Sequence, residues 1–206
     1  MQLNPDSLAI RAKFGGDYVA TDRTFRLGID RRIAKCIAQR FQGRTVLETC
    51  TGAGFTTIAL AEVAAHVVTI EIDPAHCAQA RANLTTAKLL DRVTLVEGNA
   101  LSEDVLNQAQ GVNAAFLDPD WAVTGPDHVY SFRQSNMSPP ADTLLRTVLH
   151  RTEHVALILP PFIDLREIED LPPHELQRLY LGDDLALYCV YLGDLAAAPG
   201  QTELHV

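Results

Sequence analysis

Short runs of β-branched and other apolar residues alternate along this chain with longer segments of helical periodicity. The apolar runs predict strands, and the periodic segments predict helices. The predicted strands are Thr45–Thr49, His66–Ile70, Val93–Glu97, Asn113–Leu117 and His154–Leu159. The predicted helices between them are Phe55–Ala64, Pro74–Lys88, Ser102–Asn107 and Ala141–His150. This order predicts an α/β fold, a doubly wound and mostly parallel sheet with helices on both faces.

The C-terminal part departs from this alternation. Two apolar runs, Leu176–Leu181 and Leu185–Leu192, lie on either side of a Gly-Asp-Asp turn. This pattern predicts an antiparallel hairpin that follows the parallel strands. The complete sheet would then have seven strands.

The composition is that of one globular domain with a sizeable core, since 47% of the 206 residues are hydrophobic and 21% are charged. Before the first strand the pattern is mostly helical, with Asp30 placed as the N-cap of a helix over Arg31–Phe41. The segment GGDYVATDRTFRLG gives no clear signal. We expect an N-terminal helical extension at 1–44 and a single globular unit at 45–206.

No apolar run approaches the ~18 residues of a membrane span. The start, MQLNPDSLAIRAKF, lacks the charged and apolar blocks of a signal peptide. The four cysteines are scattered without a C-x-x-C pair, and the seven histidines show no ligand spacing. We therefore expect reduced thiols, no metal, no membrane association and a cytoplasmic location.

The formal net charge is −9, which argues against binding of long nucleic acid through its phosphates alone. A nucleotide, a short RNA end or a cationic substrate remains compatible with this charge. A cluster of arginines and lysines lies between residues 11 and 35. This cluster forms either a basic surface beside a ligand-binding pocket or a solvated helix face.

The stretch 47-LETCTGAGFTTIAL-60 contains the clearest local signal. A strand ends near Glu48, and a helix begins near Phe55. Gly52 and Gly54 between them allow a ligand to approach bare backbone. The loop lacks the third glycine of a dinucleotide-binding G-x-G-x-x-G motif. The acid-x-x-x-G-x-G loop of S-adenosyl-L-methionine enzymes is the better match.

The next two strand ends extend this interpretation, because ligands of open parallel sheets bind beyond the carboxyl ends of the strands. In 70-IEIDP-74, Glu71 is placed to accept hydrogen bonds from both ribose hydroxyls. In 96-VEGNA-100, Asn99 is placed at the adenine edge. Each feature alone also fits a tight turn or a solvated cap, but the three in order predict a cofactor pocket. The predicted cofactor-binding residues are Glu48, Thr49, Cys50, Gly52, Gly54, Phe55, Thr56, Glu71, Ile72, Asn99, Ala100 and Asp118.

The fourth strand ends in 113-NAAFLDPDWAVTGPD-127. Asp-Pro-x-aromatic at this place resembles the [N/D/S]-P-P-[Y/F/W] motif of amino-group methyltransferases. In that motif the first side chain and the proline carbonyl orient a substrate amine, and the ring stacks on a planar base. The predicted catalytic residues are Asp118, Pro119, Asp120 and Trp121. The alternative is a turn in which the Asp caps the next segment and the Trp packs.

From about Thr45 to Leu195 the chain resembles the trimethylguanosine synthase group, the RNA cap guanine-N2 methyltransferases. The resemblance rests on LETCTGAG, IEIDPAHCAQARANL, DPDW followed by TGPD, NMSPP, LILPPFIDLREI and VYLGDL. It implies the Rossmann-like class I methyltransferase fold, S-adenosylmethionine as cofactor, and methylation of N2 of a 7-methylguanine held against Trp121. The family has two prolines before the tryptophan, whereas this chain has Pro119-Asp120.

Three functions remain open at this point. The first is N-methylation of the exocyclic amine of a guanine-type base in RNA or a nucleotide. The second is methylation of a small amine metabolite or a protein side chain, and the third is a non-catalytic binding module. The loop from Trp121 to Pro140 either orders over the substrate or packs against the sheet. Oligomeric state is left open.

Overall fold

The computed structural model describes residues 5–121 and 130–206, and the chain divides between Val112 and Asn113 into two compact units. Residues 122–129, which include the TGPD segment and part of the predicted loop, lie outside the described residues. None of the helices in the described part of the chain is long and apolar enough to cross a membrane.

The first unit contains six α-helices and three strands within its described residues. The helices are α1 (Ser7–Phe14), α2 (Asp22–Leu27), α3 (Arg31–Ala38), α4 (Phe55–Val63), α5 (Pro74–Thr86) and α6 (Glu103–Leu106). The strands are β1 (Thr45–Thr49), β2 (His66–Glu71) and β3 (Val93–Glu97), all parallel in the order β3-β2-β1. The predicted β1 and β3 are confirmed residue for residue.

Local chemistry explains where these helices begin. Asp30 caps α3 by accepting a hydrogen bond from the backbone N–H of Arg32, as predicted. Asp73 does the same for α5 through the N–H of Ala75, with proline at the first helical position. Helix α2 lies inside the segment that gave no clear signal. A capping box formed by Thr21 and Thr24 starts it, a threonine pair that sequence patterns do not single out.

The second unit contains α7 (Ala141–Leu149) and five strands among its described residues. The strands are β4 (Ala114–Leu117), β5 (Val155–Leu159), β6 (His174–Leu181), β7 (Asp184–Leu192) and β8 (Gly200–His205). Their order is β4-β5-β7-β6-β8. Strands β4 and β5 are parallel, whereas β7 is antiparallel to both β5 and β6. The α/β class and the C-terminal antiparallel hairpin are therefore confirmed.

Strand β8 is the difference from the predicted seven strands. It pairs parallel to β6, with Glu175 opposite Gly200 and Tyr180 opposite His205. Its residues are mostly exposed, so GQTELH lacks the alternating apolar face by which a strand is recognised. Backbone pairing with β6, and not hydrophobic burial, holds it in place.

Candidate active site

The loop between β1 and α4 turns through alternate left-handed residues. Cys50, Gly52 and Gly54 have φ angles of 64°, 55° and 80°. The N–H of Cys50 donates to the carbonyl of Ile70 at 2.9 Å, and the N–H of Gly54 donates to the carbonyl of Thr51 at 2.9 Å. The two glycines were recognised from sequence, but the left-handed Cys50 was not, because L side chains rarely adopt this conformation.

The two glycines of this loop have different surroundings. A Cβ atom added to Gly52 would meet no atom of the described residues within 4 Å, so within that part of the chain the space above this residue is open to a ligand. A Cβ atom on Gly54 would lie 3.2 Å from the Cα of Ala80. Gly54 therefore permits close packing of the loop on α5, and the cofactor contact predicted for it remains a prediction.

Glu71 at the end of β2 connects two loops. Its Oε2 accepts the N–H of Gly52 at 2.7 Å, and its Oε1 accepts the N–H of Asp73 at 2.9 Å. Burial alone would raise its pKa, but the neighbouring imidazole of His76 and the hydrogen bonds from these two backbone groups lower it below the usual value. The ionised carboxylate retains lone pairs on both oxygens, which fits the predicted role of accepting two ribose hydroxyls.

His76 on α5 is a neighbour of this carboxylate that sequence analysis did not single out. Its Nδ1 lies 3.8 Å from Oε1 of Glu71, and its Nε2 lies 3.9 Å from Oδ2 of Asp73. The nearby carboxylate of Glu71 raises the pKa of His76. A carboxylate between an imidazole and two N–H groups is held in one orientation before any ligand binds.

The carboxyl group of Glu48 is buried, unlike that of an acid that faces a ligand. Glu48 is 2% exposed, and its Oε2 has no hydrogen-bond partner among the described residues. Burial raises the pKa of Glu48 to about 7, and the nearby Glu71 acts in the same direction. The hydroxyls of Thr57 and Thr69 oppose this shift. The carboxyl thus carries a proton for much of the time near neutral pH.

The remaining cofactor candidates of the first unit differ in their exposure to solvent. Thr49, Phe55, Thr56 and Ala100 are buried, whereas Ile72 is 66% exposed directly after Glu71. An exposed apolar side chain there suits contact with the face of an adenine. Asn99 is exposed, and its Oδ1 accepts the N–H of Leu101 at 2.9 Å. This oxygen already accepts a hydrogen bond in a turn. The predicted contact with adenine would therefore use the amide NH2 group of Asn99 as a donor.

Helix α1 and the residues that follow it pack on the glycine loop and on the start of α4. The rings of Phe14 and Phe55 are stacked, with centroids 3.5 Å apart and an interplanar angle of 5°. The fully buried amide of Asn83 accepts the N–H of Val19 at 2.7 Å and donates to the carbonyls of Val19 and Ala53 at 2.9 Å. Sequence reasoning missed Asn83, since its partners lie 64 and 30 residues away.

The second unit holds the predicted catalytic motif directly after β4. Asp118, Asp120 and Trp121 are partly exposed, and Pro119 is buried. Asp120 forms an isolated antiparallel bridge with Ser138, in which each backbone N–H donates to the other's carbonyl at 2.9 Å. A proline at position 120 has no N–H, so the departure from the family motif supplies a backbone hydrogen bond.

The segment 130–138 is fixed against the short 3-10 helix Leu165–Ile168. Oε2 of Glu167 accepts the Oγ–H of Ser131 at 3.0 Å and the N–H groups of Phe132 and Arg133 at 2.6 and 2.7 Å. Arg133 also forms an ion pair with Asp170. These contacts were not predicted, because Glu167 lies more than 30 residues along the chain from its partners.

Metal binding finds no support among the described residues. Within residues 5–121 and 130–206, no group of three or more His, Cys, Asp or Glu side chains is arranged to hold a metal ion. The four cysteines, all inside these ranges, are free thiols. Cys77 and Cys189 are buried, and Cys36 and Cys50 are half-buried.

Known protein structures share this fold. A protein from Porphyromonas gingivalis W83 described as a methyltransferase matches with a TM-score of 0.74 and 18% identity, over 92% of this chain and 48% of that one. A protein from Streptococcus mutans, described as a methyltransferase and solved with S-adenosylhomocysteine, matches with a TM-score of 0.56 and 12% identity, over 78% and 95%. At such low identities the likeness shows the fold alone.

Sequence comparison is more specific. Over 89 residues the chain is 43% identical to a catechol O-methyltransferase from Mycobacterium tuberculosis (strain ATCC 25618 / H37Rv), a match over 41% of this chain and 40% of that protein. Residues 43–180 match the family described as RNA cap guanine-N2 methyltransferase, and this range covers more than half of the chain. The chain spans less than half the length of the first relatives that it matches. It belongs to the RNA cap guanine-N2 methyltransferase family.

Proposed function

We propose that this enzyme methylates the exocyclic amine of a guanine-type base, in RNA or in a nucleotide. The observation that carries the proposal is the sequence Asp118-Pro119-Asp120-Trp121 at the end of β4, inside the range that matches the guanine-N2 family. An acid, a proline carbonyl and an aromatic ring are the groups that orient a planar amine. The proposal goes beyond methyl transfer in general by naming the atom that receives the methyl group.

Each part of the chain has a defined role in this proposal. S-adenosylmethionine, when bound, supplies an electrophilic methyl group. Glu71 holds the ribose of the cofactor, and Gly52 leaves room for the cofactor against the backbone. Asp118 and the carbonyl of Pro119 accept hydrogen bonds from the amine and aim its lone pair, so positioning is the main contribution of the protein. Trp121 supplies a stacking face for the base.

A second candidate is a small aromatic or amine metabolite as the methyl acceptor. The relative described as a catechol O-methyltransferase favours it, although the match spans only 40% of that protein. The charge distribution also favours an acceptor without many phosphates. Residues 113–206 contain fourteen acidic and five basic residues, whereas residues 1–112 contain twelve of each. The entire net charge of −9 therefore belongs to the part that holds the Asp-Pro-Asp-Trp motif.

The test is incubation with S-adenosylmethionine labelled in its methyl group, together with separated cellular RNA, nucleotides, small metabolites and protein. We expect label in the RNA or nucleotide fraction, and digestion should recover it as N2-methylated guanosine. Heat-inactivated enzyme is the control for background label. Label confined to the metabolite or protein fraction would favour the second candidate and contradict the first.

A further inference from the structure

Three aromatic rings form a row in the second unit. The rings of Trp121 and Tyr130 meet edge to face, with centroids 6.1 Å apart and an interplanar angle of 80°. The ring of Tyr130 is then nearly parallel to that of Phe162, at a centroid distance of 6.4 Å and an angle of 22°. The row thus extends from the catalytic motif to the residues that follow β5.

Phe162 is the outer member of this row and is 76% exposed. A phenylalanine so exposed contributes little hydrophobic burial to the fold, and its ring face is accessible. Single exposed apolar residues are common on protein surfaces. Phe162 differs from those because the nearly parallel ring of Tyr130 lies beside it, and Tyr130 in turn contacts the motif's tryptophan.

The backbone near two of these rings is anchored by hydrogen bonds. On one side of Tyr130 the backbone N–H groups of Phe132 and Arg133 bind the carboxylate of Glu167. Next to Trp121, the backbone of Asp120 pairs with Ser138. A surface built in this way loses little conformational entropy when a flat ligand stacks on it.

The charges around the row indicate how a ligand binds there. The nearby guanidinium groups are engaged with acids, because Arg166 pairs with Asp164 at 2.6 Å and Arg133 pairs with Asp170. The excess of acidic residues in 113–206 further disfavours phosphate contacts. Stacking on a neutral or cationic planar ring is the interaction that this surface offers.

We propose that Tyr130 and Phe162 form a second aromatic subsite beside Trp121, which stacks the nucleobase next to the reacting guanine. This inference rests on the proposed function and extends it, because it makes an acceptor with two bases a better ligand than a single nucleotide. The additional binding free energy comes from stacking of the second base, and the linking phosphates remain in solvent.

The experiment compares the binding of 7-methylguanosine monophosphate with that of the cap dinucleotide, which carries a second guanine. Calorimetry with saturating S-adenosylhomocysteine is run at about 50 mM and about 200 mM salt. We expect the dinucleotide to bind about tenfold more tightly than the mononucleotide. The ratio should be equal at both salt concentrations, because phosphate contacts, unlike stacking, weaken steeply with salt.

In the variant Phe162→Ala the dinucleotide should bind no more tightly than the mononucleotide. Binding of the mononucleotide itself should be unchanged. Leu8→Ala is the matched control, since Leu8 is 71% exposed and lies in the other unit. The subsite is overturned if the ratio is near one, collapses at the higher salt, or survives in Phe162→Ala. If neither ligand binds and no guanine is methylated, the proposed function itself is wrong, and the subsite fails with it.

Discussion

At the scale of single residues, the buried Glu48 has a consequence for stability. Its pKa is raised from 4.5 to about 7, so the folded state holds a proton that the unfolded state releases above pH 4.5. The free energy of unfolding therefore falls as pH rises from about 4.5 to about 7, by roughly 3 kcal/mol in total. Glu48→Gln carries no titrating group, so it should lose this part of the pH dependence.

Denaturant unfolding of both proteins between pH 4 and pH 8 measures this effect. Relative to wild type, the variant should gain stability as pH rises, and the gain should level off above about pH 7. Parallel stability curves for the two proteins would show that Glu48 titrates normally in the fold.

Gly52 gives a second prediction at this scale. The methyl group of Gly52→Ala meets no atom of residues 5–121 and 130–206, although the φ of 55° adds strain of about 1–2 kcal/mol. We expect a large loss of S-adenosylhomocysteine affinity, because the added methyl group occupies space intended for the ligand. Gly111→Ala is the matched control, since Gly111 has a φ of 73° and likewise has no described neighbour within 4 Å of an added Cβ atom. Calorimetry that finds equal affinity in both variants would remove Gly52 from the cofactor site.

Candidate site residues could be recognised from the sequence only where the signal lies in a short stretch of chain. The glycines, the acid at the end of β2 and the Asp-Pro-Asp-Trp motif are recognisable because their spacing along the chain reflects a strand end. Asn83, His76 and Glu167 were missed, since each acts on backbone or side chains brought near by folding. No property of an isolated cysteine indicates that Cys50 adopts a positive φ.

At the scale of elements, the Asp-Pro-Asp-Trp motif contacts the segment 130–138 through the bridge between Asp120 and Ser138 and through the rings of Trp121 and Tyr130. Glu167→Gln should weaken the hold on Ser131, Phe132 and Arg133, because a neutral amide is a poorer acceptor than a carboxylate. Trp121 is the only tryptophan, so its fluorescence reports on this site directly. We expect greater quenching by acrylamide and a higher KM for the acceptor, with cofactor affinity unchanged.

Glu169→Gln is the control for this prediction, because Glu169 is exposed and lies two residues further along the same segment. It removes the same charge but leaves the contacts of Glu167 intact. If both variants show the same quenching, charge and not anchoring determines the environment of Trp121.

The bridge between Asp120 and Ser138 gives the other prediction at this scale. Asp120→Pro restores the family's motif, but it removes the N–H that donates to the carbonyl of Ser138. We expect a loss of about 1 kcal/mol in unfolding free energy and lower activity. Asp120→Asn keeps the backbone bond and should retain the stability. Unfolding measurements that find Asp120→Pro as stable as wild type would show that the bridge contributes little.

At this scale the sequence predicted most of the secondary structure. Strands buried on both faces, such as β4 and β5, read as continuous apolar runs, and their bounds were correct to within one residue. Strand β8 and helix α2 are held by pairing and capping, which leave little trace in hydrophobic patterning. The proposed division of the chain into 1–44 and 45–206 remains a prediction.

At the scale of the whole molecule, charge is divided between the two parts of the sequence. The half with the glycine loop is balanced, and the half with the catalytic motif carries nine net negative charges. Family membership predicts an RNA cap as acceptor, whereas this charge favours recognition of the base over its phosphates. Both fit an enzyme that identifies a guanine by stacking and by hydrogen bonds to its amine.

The central claim is that an amine held by Asp118 receives the methyl group. The most direct measurement is the steady-state kinetics of Asp118→Ala on the guanine acceptor, together with its affinity for S-adenosylhomocysteine. The account predicts a loss of kcat of about a hundredfold or more, because the amine is no longer aimed, with cofactor affinity nearly unchanged. Normal turnover in Asp118→Ala would contradict it.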